Sequence, residues 1–174
     1  MSAALAKIHS TTMARAYLRV GWRLKYAFRE NPGAEPYEYI LQWPHSQEPR
    51  HPPAYPDGKR LDEGDELLPQ LQPLEFAVRA LAQSANVQTT LFPPFVVVGD
   101  ELATDFEEAV RSCAVDDSGA TTVQRDALQR LSSYLTAFSG PPNEDLWLDP
   151  AALATDERWK QIRVLALEVV LAFG

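Results

Sequence analysis

Two stretches in which large and polar residues alternate constrain this chain more than any other feature. In WRLKYAFR (residues 22–29), Trp22, Leu24, Tyr26 and Phe28 alternate with Arg23, Lys25, Ala27 and Arg29; in YEYILQW (residues 37–43), Tyr37, Tyr39, Leu41 and Trp43 take every second place. Successive side chains leave a strand on opposite faces, so period-two alternation marks a half-buried strand. NPGAEP between the two supplies turn residues, and the pair reads as an antiparallel hairpin. Parity then sets the register. The two apolar sets share a face only when even-numbered residues of the first strand oppose odd-numbered residues of the second, as when Phe28 faces Tyr39 and Arg29 faces Glu38. A slip of one residue loses the whole buried face. Eight large side chains then gather on one side, which two strands cannot hide alone, so helices must cover them.

The helices have their own signals. Met13, Ala16, Tyr17 and Val20 recur at helical spacing after Ser10 or Thr11, with Gly21 as a left-handed stop. Leu74, Ala77, Val78 and Leu81 form the inward stripe of a helix opened by Pro73. Asp100 reads as the cap of a helix carrying Leu102, Phe106, Ala109, Val110 and Cys113, and DDSGA ends it. Thr121 with Gln124 forms a capping box for a helix that runs toward Gly140 and Pro141. A last helix runs from near Thr155 to Phe173, and VLALEVVLAF within it is apolar nearly all round, so it belongs at the centre of the core. Phe95 to Val98, between Pro94 and Gly99, reads as a third strand or a buried extended crossing.

A chain of 174 residues with 45% hydrophobic content has material for one core and is short for two. Residues 1–12 precede Met13 and read either as a loose extension or as the product of an upstream start. The amino terminus, with Lys7, His9 and Arg15, lacks the apolar stretch of a secretory signal, and no run of about 18 apolar residues could span a bilayer. The expectation is a cytoplasmic protein without membrane contact. The net charge of −8 is uneven: residues 1–60 carry nine Lys or Arg against five Asp or Glu, a net +4, which leaves −12 for the remainder. Phosphate neutralisation dominates nucleic-acid affinity, so an acidic chain disfavours that partner and suits a basic protein instead. The single cysteine, Cys113, has no disulfide partner within the chain and reads as a small buried hydrophobe.

Residues 44–73 hold seven prolines, which remove donors and fix φ, so the stretch reads as a connecting loop of the length that tends to carry function. His45, Glu48 and His51 lie in it, but their spacing matches none of the recurring zinc patterns, and no metal is expected. Ser132, Ser133 and Ser139 belong to a helix and its end with no nucleophile elbow, and adjacent carboxylates such as Glu107 and Glu108 point in different directions from one helix. No glycine-rich phosphate loop is present, so the sequence names no catalytic residue and no cofactor.

These signals describe a single α+β domain, with a small antiparallel hairpin or three-stranded sheet packed against four or five helices. The aromatic ribbon reads as core rather than as a stacking platform for bases, because the helical stripes need a sheet to bury them. The leading functional expectation is a non-catalytic bacterial protein-binding domain, in its most concrete form an immunity-type inhibitor of a basic toxin. Recognition is expected at the proline loop through His45, Glu48, Arg50, His51 and Tyr55, beside the acidic cluster Asp62, Glu63, Asp65 and Glu66. The alternative is a small-molecule binder or enzyme with a pocket between the aromatic hairpin and the loop. A third reading is a homodimer that pairs exposed hairpin edges.

Overall fold

A computed structural model describes residues 4–28, 38–52, 72–113 and 119–173. In chain order its elements are β1 (Leu5–Ile8), α1 (Thr11–Arg19), β2 (Arg23–Phe28), β3 (Glu38–Gln42), α2 (Gln72–Ala82), α3 (Ala85–Gln88), α4 (Val98–Ser112), α5 (Thr122–Ala137), α6 (Glu144–Leu148), α7 (Ala152–Thr155) and α8 (Glu157–Phe173). The strands form one antiparallel sheet in the order β1-β3-β2, so the chain is α+β with the three-stranded alternative realised.

Two expectations about the sheet need correction. The third strand is not Phe95–Val98: Pro93 accepts a hydrogen bond from the Val96 amide in a tight turn, and Val98 already opens α4. It comes instead from β1, inside the stretch read as a loose extension, and residues 11 and 12 belong to α1. The strand escapes sequence reading because it has four residues and its inward side carries only Ala6 and Ile8. It is held by pairing along β3, by the Trp43 amide donating to the Ala4 carbonyl, and by Lys7 reaching Glu38 at 2.6 Å.

The second correction is the register. Leu24 opposes Leu41, as parity demands, but a bulge between Leu24 and Tyr26 adds a residue to β2, and beyond it Ala27 faces Tyr39 and Phe28 faces Glu38. A bulge inverts the facing of every later residue on its strand. Trp22, Leu24, Tyr39, Leu41 and Trp43 remain buried, whereas Tyr26 is turned out and is 53% exposed.

The helix signals hold up better. The Gly21 amide bonds the Leu18 carbonyl and the Trp22 amide bonds the Tyr17 carbonyl, a Schellman closure with Gly21 at φ 104°. Thr121 and Gln124 make both bonds of the capping box. At α4 the capping position is Val97, which offers no side-chain acceptor, and Asp100 lies inside the first turn, where the helix dipole favours it. Helix α8 occupies the middle, against α1, α2, α5 and β2, with Trp159, Ile162 and Ala166 fully enclosed.

Candidate functional site

The amino-terminal part of the proline loop is anchored on aromatic side chains. The Schellman turn brings Trp22 edge-on to Tyr17, with ring centroids 5.2 Å apart, and β3 delivers Trp43 beside them. The Trp22 indole N–H donates to the Arg50 carbonyl at 2.5 Å and the Trp43 indole N–H to the Gln47 carbonyl at 2.8 Å. His51 then packs against both Tyr17 and Trp22, and its Nδ1 lies 3.4 Å from the Tyr17 hydroxyl. His45 stands edge-on to Trp43 at 4.9 Å. Two indole donors thus fix the loop backbone, while His45, Glu48, Arg50 and His51 remain exposed. At this end of the loop the two imidazoles lie against the Tyr17, Trp22 and Trp43 rings. Among the described residues no group of three His, Cys, Asp or Glu is placed to hold a metal. Tyr55, Asp62, Glu63, Asp65 and Glu66 lie outside the described residues.

A different surface has the composition of an interface. Helices α2 and α4 pack together and leave a groove of about 520 Å³ between them. From α2 come Pro73, Phe76, Ala77 and Ala80; from α4 come Asp105, Glu108, Ala109 and Ser112; Leu91 and Phe92 complete the lining. Phe76 is 72% exposed and Leu91 49%, and Phe95, in the turn leading to α4, is 85% exposed. Large apolar side chains displayed together on a surface mark interaction sites, whereas isolated ones need no explanation. Sequence reading placed only the inward stripe of α2. Phe76, a large apolar residue off that stripe, is the signal that was there to be used.

The hairpin's other neighbour is a cleft of about 830 Å³ lined by Lys25 and Tyr26 of β2, Tyr134 of α5, and Arg158, Lys160 and Gln161 of α8. Its cations have partners within the chain: Arg158 pairs with Asp145 and Asp156, Lys160 with Glu157, Arg163, also in the lining, donates to the Gln83 carbonyl and to Gln88, and Lys25 lies 5.7 Å from the Tyr26 ring centre. The hydrogen bond from Arg158 holds the Asp156 carboxyl below its usual range, and burial lifts the Tyr134 phenol above its own.

Beneath a neighbouring surface lies Glu168, the lone acid of VLALEVVLAF and only 2% exposed. Its Oε1 accepts from Arg130 at 2.8 Å and from the Leu24 amide at 3.4 Å. Burial raises its pKa, and Arg130, the Leu24 amide and Arg23 oppose that rise. Among the described residues no helix is long and apolar enough to cross a membrane. No family model matches the chain, and neither a curated protein nor a solved structure shows significant similarity to it.

Proposed function

We propose that this chain is a non-catalytic protein-binding domain, and that an immunity-type inhibitor of a basic bacterial toxin is its most concrete form. The observation that supports the reading is the α2–α4 groove with its exposed Phe76 and Leu91; Phe95, four residues along the chain from Leu91, is exposed as well. Exposed aromatic anchors of this kind are enriched at interfaces and account for much of their affinity. The fixed loop backbone at residues 44–52 gives a second rigid surface, and rigidity lowers the entropic cost of docking. The chain's charge of −8 favours a basic partner through steering. Affinity capture from the source organism with the parent chain and with Phe76→Ser/Phe95→Ser tests this. A stoichiometric protein held by the parent and lost by the variant supports the reading; identical capture by both contradicts it.

A small-molecule reading is favoured by one feature, the cleft beside Tyr26 and Tyr134, whose volume falls in the range of ligand sites. A metabolite that raises the melting temperature of the parent but not of Tyr26→Ala/Tyr134→Ala would move the assignment there.

A further inference from the structure

We infer that the α2–α4 groove receives the apolar face of a cationic amphipathic helix belonging to a protein partner, an inference that rests on the protein-binding reading. Three properties of the groove select this occupant. Its floor is small: Ala77 and Ala109 are buried in it and Ala80 is half-buried beside them, so a helix backbone can come close. Phe76, Leu91 and Phe92 supply apolar lining. Along α2 the lining runs from Pro73 to Ala80, about 10 Å at a rise of about 1.5 Å per residue, which is two turns and matches anchors spaced i, i+3 or i+4, and i+7.

Charge decides which amphipathic helix fits. Helix α4 carries Asp100, Glu101, Asp105, Glu107 and Glu108 against Arg111 alone, a net −4 in fifteen residues. Asp105 and Glu108 line the groove, and no cation within the described residues pairs with either. An anionic membrane surface or a nucleic acid would meet like charge there, and a second copy of a chain with net −8 would be repelled overall. A helix with leucine or aromatic anchors flanked by lysine or arginine meets complementary charge on the rim and apolar walls within.

The test uses three labelled 18-residue peptides of helical pattern: Leu/Lys, Leu/Glu with the same apolar face, and Ser/Lys without one. Binding is read by fluorescence anisotropy, and the location by amide chemical-shift changes. The Leu/Lys peptide should bind at least tenfold more tightly than either of the others and shift amides of α2 and α4. Asp105→Lys/Glu108→Lys should weaken it at least tenfold, while Asp126→Lys/Glu144→Lys, an equal charge change at exposed positions elsewhere, should leave it within about twofold. Ala80→Trp should block binding at unchanged charge; if that variant unfolds, Phe76→Ser, at an exposed position, serves instead. Equal loss with both charge-reversal pairs, or shifts confined to other surfaces, overturns the inference. Capture of a cellular partner that depends on Phe76 and Phe95 but is untouched by Asp105→Lys/Glu108→Lys also overturns it while leaving the protein-binding reading standing.

Discussion

Replacing Arg130 by Met should destabilise the chain strongly at neutral pH and progressively less as the pH falls. The reason is the position of its partner. Glu168 sits in the carboxyl-terminal half of α8 with 2% exposure, while the Arg130 side chain keeps 24%. Removing the arginine strands a buried carboxylate, and breaking a buried pair in this way costs about 3 kcal/mol, which is roughly 6–12 °C in Tm for a chain of this size. The folded-state pKa of Glu168 already lies above its ordinary value because of burial. Its ionised form is therefore favoured more in the unfolded chain, and stability contributed by this group falls as pH rises from the unfolded pKa through the folded one. Loss of Arg130 lifts the folded value further and widens that window. Below the unfolded pKa, Glu168 is neutral in both states and the electrostatic part of the penalty vanishes. The converse substitution, Glu168→Gln, keeps an acceptor for both the Leu24 amide and the Arg130 guanidinium, so it should cost only about 1 kcal/mol. Arg130→Met/Glu168→Gln should recover most of the loss. The assay is urea unfolding of the four proteins between acidic and neutral pH. A single Arg130→Met variant as stable as the parent at neutral pH, or a deficit that grows on acidification, would mean that Arg130 does not compensate a buried Glu168 carboxylate.

Other substitutions probe the frame around the candidate surfaces. A Cβ at Gly99 would lie 2.6 Å from the Trp147 carbonyl oxygen, so Gly99→Ala should push α4 off α6 and cost about 1–3 kcal/mol; an unchanged denaturation midpoint would contradict that packing. Trp22→Phe removes the indole N–H that holds the Arg50 carbonyl, and it should lower the backbone order parameters of residues 50 and 51 without unfolding the chain; unchanged order parameters would mean that the loop is anchored otherwise. Zinc or a chelator should leave the melting temperature of the parent and of His45→Ala/His51→Ala unaltered, and a zinc-dependent rise lost in the double variant would reverse the reading of these histidines.

The parts of the fold that were legible from sequence are those fixed by neighbours in the chain. Gly21 closes α1 and Thr121 opens α5 because the groups they satisfy lie within six residues, and the apolar run of α8 needs no knowledge of what surrounds it. Register was different. Parity assumes an uninterrupted ladder, and the bulge at Leu24/Tyr26 breaks it, turning Tyr26 outward into a cleft that no periodicity indicates. Phe95 to Val98 has strand-like composition, yet the Pro93 turn and the close approach of Gly99 to Trp147 commit it to a turn that ends in the first residue of α4. Glu168 stood out as one acid in an apolar run, but its partner is 38 residues away and only the fold brings them together. Of the expected recognition residues, His45, Glu48, Arg50 and His51 share one anchored segment and are exposed. The groove needed two helices and a connecting turn to converge, so sequence offered only Phe76, out of step with its helix.

The most direct test of a protein-docking role at this groove is hydrogen exchange of the chain with and without its captured cellular partner. Slowed exchange should concentrate in α2 and α4, around residues 74–80 and 105–112, with Phe76→Ser abolishing it. Slowed exchange confined to β2 and the α5 and α8 residues of the Tyr26 cleft, with α2 and α4 unaffected, would contradict a docking role at this groove.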